Sequence, residues 1–183
     1  MKLLSKKIIG ICFYPVVKIK PLWRKAEGLA YIRRVKNKGE RCVFEGGGDI
    51  IDPEKLILGC HVYIGRGFFI RATGGVFVGD YTHISRNVTI HTVNHNKNGK
   101  LLPYDRQDIV KPINIGSYVW VGMNSNILQG VTIGDGAIIG MGATVTKDVG
   151  PGEIVVGASQ RVVGSRDDRH TIELVRNGSY LKL

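Results

Sequence analysis

Residues 115–150 read IGSYVWVGMNSNILQGVTIGDGAIIGMGATVTKDVG. Ile115, Val121, Ile127, Ile133, Ile139 and Val145 recur at every sixth position, and Gly follows at 116, 122, 134 and 140. Four residues after each aliphatic stands a small or β-branched residue: Val119, Ser125, Val131, Ala137, Ala143 and Val149. A helix repeats at 3.6 residues and a half-buried strand at two, so neither explains a period of six. Short strands joined by tight corners do explain it. One aliphatic per strand points inward, small side chains fill the narrow parts, and successive coils stack as an all-β solenoid. The glycines are expected at corners with positive φ, where a β-carbon is penalised.

The period extends upstream. Leu58, Ile64 and Ile70 keep it, two extra residues fall around Thr73 to Gly75, and Val78, Ile84 and Ile90 resume it. At three hexads per triangular coil this makes four coils, preceded by an irregular start from Val43. The repeat body spans 42–163, between an arm at 1–41 and a tail at 164–183, where Arg166–Val175 is predicted to be a short helix. One excursion, 91–114, interrupts the body. It carries His95 near its start, Pro103-Tyr104 in the middle and Pro112 at its return. A long loop without repeat character in a rigid fold points to function.

Length and composition suit one domain with many corners: 183 residues, 25 Gly and 6 Pro. Cys12, Cys42 and Cys60 are scattered without CxxC spacing, as free thiols in a reducing, cytoplasmic compartment would be. Of the net +11, residues 1–41 carry +10, from twelve Lys or Arg against Glu27 and Glu40. The repeat body is therefore nearly neutral, which argues against a nucleic-acid groove, and no nucleotide-hydrolase phosphate loop is present. No apolar run is long enough to span a bilayer. In the arm, Lys residues flank the apolar stretch Ile8–Val17, and Pro15 and Pro21 interrupt any single long helix. Leu22–Lys36 is predicted to be helical with Leu22, Ala26, Leu29 and Ala30 on one face. Such an arm either lies on an anionic membrane or caps the open end of the solenoid.

Four segments, TVNHN (92–96), INIGSYVWVG (113–122), GVTIGDGAIIGMGATVTKDV (130–149) and VGASQR (156–161), occur in that order. Together they resemble the hexapeptide-repeat acyltransferases over roughly 56–163. The branch is that of galactoside and maltose O-acetyltransferases and bacterial polysaccharide O-acetyltransferases. The resemblance implies a left-handed parallel β-helix, a homotrimer with active sites between neighbouring subunits, and acetyl-CoA as co-substrate with no metal. It makes His95 the general base, a role suited to imidazole because its unperturbed pKa lies near working pH. His83 and His91 are nearby competitors. Asp105 and Asp108 share the loop and are candidates to orient His95. The resemblance makes the backbone N–H of Met123 the oxyanion donor. The positions matched to coenzyme A are Met123, Met141, Thr146, Lys147 and Arg161. Trp120 either walls that groove or fills a corner between coils.

The acceptor half departs from the branch. Ile57 and Arg71 replace an acceptor-contacting Ser and Asn, and a segment bearing a further Asp is missing between Arg71 and Val78. Arg71 and Asn94 are expected on the acceptor side, Arg71 meeting an acidic group there or pairing with an acidic neighbour. The resemblance implies O-acetylation of a sugar hydroxyl in cell-surface polysaccharide biosynthesis, by direct transfer. The acceptor is a small-molecule, lipid-linked or polysaccharide sugar. Alternatives on the same fold are N-acetylation of an amino sugar and O-acetylation of an antibiotic. A β-helical zinc carbonic anhydrase using His83, His91 and His95 and a non-catalytic scaffold belong to other classes.

Overall fold

The computed structural model describes residues 21–96, 106–158 and 161–165, with Arg169, Ile172, Glu173, Arg176 and Asn177. The chain forms the expected solenoid. Strands of two to four residues pass in turn to three parallel sheets. Sheet A holds Asn37–Lys38, Leu56–Leu58, Val76–Val78, Ile113–Ile115 and Thr132–Ile133. Sheet B holds Val43–Phe44, Tyr63–Ile64, His83–Ile84, Trp120–Val121, Ile138–Ile139 and Glu153–Val156. Sheet C holds Asp49–Ile51, Phe69–Arg71, Thr89–His91, Asn126–Leu128 and Thr144–Val145. Five coils are complete. A sixth opens at Val149, bridged to Ile133, and Arg161–Ser165 folds back antiparallel on Glu153–Val156 to finish that end.

The register stacks the period-six aliphatics in columns. Leu58, Val78, Ile115 and Ile133 align in sheet A, and Ile64, Ile84, Val121 and Ile139 in sheet B. Sheet C aligns Ile70, Ile90, Ile127 and Val145. All are at most 4% exposed, each contributing about 1.5–3 kcal/mol of burial. The small set is buried too, and the hydroxyl of Ser125 donates to the Gly122 carbonyl at 2.7 Å, so no polar group is stranded there.

The glycines occupy corners for a different reason from the one expected. Gly116, Gly122, Gly134 and Gly140 lack positive φ; the left-handed residues come two positions later, at Tyr118, Asn124, Gly136 and Gly142. A β-carbon at Gly122 would lie 2.6 Å from the Met141 backbone nitrogen, and one at Gly134 2.5 Å from that of Pro151. Close approach of the next coil, not backbone conformation, excludes side chains at these positions.

The irregular start is itself a coil. Phe44 and Ile50 take the inward positions and Lys38 stands where the first aliphatic would be, its ammonium donating to the Val35 carbonyl at 2.7 Å. The repeat thus begins at Asn37, inside the arm. Residues 21–34 form the expected helix. It caps this coil through Glu27, Gly28, Tyr31 and Ile32 rather than through its more apolar side. Tyr31 packs its ring 5.1 Å from Phe68 and 6.1 Å from Phe44 and donates its hydroxyl to the Gly48 carbonyl; Arg34 donates to the Ile50 carbonyl at 3.0 Å. Leu22, Ala26, Leu29 and Ala30 do share a face, and it points outward: Leu22 is 72% exposed, Leu29 58% and the adjacent Trp23 70%. No described helix is long and apolar enough to cross a membrane. Of the predicted terminal helix, Arg169, Ile172 and Glu173 are described and are helical; the rest lies outside the described residues.

Candidate active site

Every insertion in the solenoid falls at one edge, where sheet C passes to sheet A. After the first coil this corner holds a 3-10 turn at Pro53–Lys55, after the second a turn at Thr73-Gly74, and after the third the long excursion. The other two corners keep strict hexads. Within the excursion Val93–His95 pairs antiparallel with Asp108–Val110, which sets His95 opposite Asp108. Residues 97–105, among them Pro103, Tyr104 and the candidate Asp105, lie outside the described residues. The hairpin is anchored by Thr92, fully buried, whose hydroxyl donates to the Arg71 carbonyl at 2.6 Å and accepts the Gly74 N–H at 2.9 Å.

This hairpin builds a chain of three side chains. His95 Nδ1 lies 3.1 Å from Asp108 Oδ1, and the Arg71 guanidinium lies 3.3 Å from Asp108 Oδ2. A carboxylate only accepts, so Nδ1 carries the proton and Nε2 the lone pair. Asn94 Oδ1 accepts the backbone N–H of His95 at 2.9 Å and steadies its main chain. Of the two roles open to Arg71, the structure gives the pairing with an acidic neighbour. His91 follows Arg71 in the sheet C register, and its Nδ1–H donates to the Val93 carbonyl at 2.6 Å. Arg71, His91, Asn94, His95, Leu128 and Gln129 line a cleft of 150 Å³.

The remaining expected residues divide between two edges. Thr146 and Lys147, both exposed, leave sheet C at the same C–A corner as His95, two coils on. Met123 and Met141 stand at the opposite edge of sheet C, on the B–C corner, with Met141 67% exposed. Met123 and Asn124 form a tight turn with Asn124 at φ 58°. On the A–B corner the equivalent N–H groups of Cys60, Asp80 and Ser117 are capped by Asp80, Ser117 and Asp135 side chains. The Met123 N–H has no such cap among the described residues, so it is available to a ligand. Trp120 is not a corner filler. It stands 52% exposed on sheet B, its indole N–H 3.4 Å from Ser85 Oγ. Arg161 opens the final strand, and its side chain lies outside the described residues.

His83 is on sheet B, stacked on Tyr63 at 4.3 Å, and burial pushes its pKa down. Within one chain it therefore does not converge with His91 and His95. Among the described residues no three His, Cys, Asp or Glu side chains gather as a metal site. Within one chain His95 and the uncapped Met123 N–H lie on different corners of sheet C. Sequence reasoning missed Arg66 and Arg86, which hold the same turn position as Met123 in the second and third coils. Counting hexads back from Met123, across the excursion, would have located them.

The family model "Bacterial transferase hexapeptide (six repeats)" matches residues 112–147. The chain is 37% identical over 129 residues to galactoside O-acetyltransferase of Escherichia coli K12, covering 64% of this chain and 60% of that protein. It is also 37% identical over 129 residues to nodulation protein L of Rhizobium meliloti, covering 65% and 68%. A hexapeptide-repeat acetyltransferase of Vibrio cholerae, solved with acetyl coenzyme A, aligns with a TM-score of 0.68 at 28% identity, covering 78% of each chain. The chain thus spans only three fifths of the galactoside enzyme.

Proposed function

Because this chain belongs to the hexapeptide-repeat transferases, with their left-handed parallel β-helix, we propose that it moves the acetyl group of acetyl-CoA to a sugar hydroxyl. The transfer is direct and serves cell-surface polysaccharide biosynthesis. The observation that carries the reading is the His95–Asp108 hydrogen bond, which aligns an imidazole with Nε2 as its basic nitrogen. His95 Nε2 takes the hydroxyl proton as the acceptor oxygen attacks the thioester carbonyl. The tetrahedral oxyanion accepts the Met123 N–H. Collapse breaks the C–S bond, and the leaving thiolate takes the proton from His95. The relative named galactoside O-acetyltransferase supports a sugar acceptor.

The division of the site between two corners supports a closed C3 trimer, in which the C–A corner of one subunit faces the B–C corner of the next. Coenzyme A lies in that groove, with Met141 and Trp120 along its arm and Thr146, Lys147 and Arg161 toward its phosphates. Lys147→Ala is expected to raise the KM for acetyl-CoA through loss of a charge-assisted contact worth about 1.5–3 kcal/mol, and to change the acceptor KM much less. A CoA-release assay over a panel of sugars measures both. An unchanged KM for acetyl-CoA would contradict the donor assignment.

The protein works in the cytoplasm, where its thiols stay reduced, and the capping helix bears on the inner membrane face. Its outward face presents Leu22, Trp23 and Leu29 beside Lys25 and Arg33, a pattern suited to anionic lipid. The full chain is expected to co-float with phosphatidylglycerol vesicles at low salt, to be released as salt rises, and to bind less after Trp23→Ala. Indifference to such vesicles at low salt leaves the helix a cap alone.

A further inference from the structure

The coil order gives the groove a direction. Lys147 belongs to the fifth coil, Met123 to the fourth, and His95 leaves the third. If donor phosphates lie toward the fifth coil and the reacting carbonyl near Met123 in the fourth, the acceptor lies on the first three coils. On the Met123 corner the second and third carry Arg66 and Arg86. They are stacked one coil apart: the Arg66 carbonyl accepts the Asn87 N–H at 2.9 Å, and the Arg86 carbonyl accepts the Asn124 N–H at 3.0 Å. The Arg86 guanidinium reaches to 3.9 Å from the Met123 sulfur, so this cationic column abuts the proposed oxyanion site.

The capping helix brings Arg24 and Lys25 to the same place. All four cations line a cleft of 570 Å³ between helix and sheet B, together with apolar Leu29 and Val43. Glu45 is the one carboxylate in its lining, and it is engaged by the Arg66 N–H at 3.4 Å and by the Tyr63 hydroxyl. None of the Arg24, Arg66 and Arg86 guanidiniums pairs with a carboxylate among the described residues. Four cations against one carboxylate leave the cleft with an excess of positive charge, and a multiply charged anion relieves the repulsion among them.

We infer that the acceptor carries a diphosphate beside its sugar, held by Arg66 and Arg86 with Arg24 at the outer end. Whatever the diphosphate links to lies against Leu29 and Val43. The inference rests on the acetyl-transfer reading and narrows its acceptor to carrier-linked sugars. A nucleoside and a lipid carrier share this chemistry.

The test uses the full chain saturated with coenzyme A, so that the donor phosphate site is filled. Affinities are measured for UDP-glucose, geranyl diphosphate and methyl glucoside. At least one diphosphate probe is expected to bind about tenfold or more tightly than methyl glucoside, through charge-assisted contacts. Which probe binds names the carrier. Arg66→Gln and Arg86→Gln should each weaken that probe about tenfold, and Arg66→Lys should recover part of the loss. The affinity of Arg66→Gln for acetyl-CoA should stay at the wild-type value, which also certifies its fold. Diphosphate probes that bind no better than methyl glucoside, or bind equally to both Gln variants, overturn the inference and leave acetyl transfer standing. Failure of the wild type to bind acetyl-CoA removes both.

Discussion

Replacing His95 with Ala or Asn is expected to lower kcat by about 10²–10⁴, the usual contribution of a positioned general base. Acetyl-CoA should still bind, because the residues proposed for its phosphates lie two coils away. Asp108→Asn keeps an acceptor oxygen but loses the charge that stabilises the imidazolium, so its loss should be smaller than that of His95→Ala. Cys60→Ala should leave turnover unchanged. Cys60 stands on the A–B corner of the second coil, where other coils carry Asp80, Ser117 and Asp135, rather than at an inward position. A labelled acetyl group trapped on the protein and competent to pass to acceptor would contradict direct transfer.

The second large effect is expected from Met123→Pro, at about 10²–10³ in kcat, the cost of losing one oxyanion donor. Proline removes the N–H and little else. Met123 is the second residue of a turn whose third, Asn124, has φ 58°, the arrangement in which proline is favoured at the second position. The fold already uses it there. Pro151 occupies the same place in a hexad corner, followed by Gly152 at φ 71°. Met123→Ala keeps the N–H and should retain most activity. A folded Met123→Pro protein with wild-type kcat would remove the oxyanion assignment.

The coils were legible because burial in a solenoid is periodic, and the inward columns fall where the aliphatics do. What the sequence obscured came from contacts between coils and between distant segments. Gly122 and Gly134 look like left-handed corner residues until the next coil is seen against them. The helix at 21–34 has an apolar stripe at Leu22, Ala26, Leu29 and Ala30 that invites burial, yet Tyr31 and Gly28 give the closer fit to Phe44 and Phe68. Asp105 and Asp108 could not be ranked without the hairpin register that sets His95 against Asp108. Motif order likewise runs His95, Met123, Lys147 along the chain and hides their alternation between two corners.

That alternation is the central claim: each site is assembled from the C–A corner of one subunit and the B–C corner of another. It is tested most directly by refolding an equal mixture of His95→Ala and Met123→Pro chains, each inactive alone. In a C3 trimer every mixed assembly contains one interface where an intact His95 meets an intact Met123, so random mixing should restore about a quarter of wild-type activity per chain. Activity no higher than that of either parent, in trimers shown to be mixed, would contradict the account.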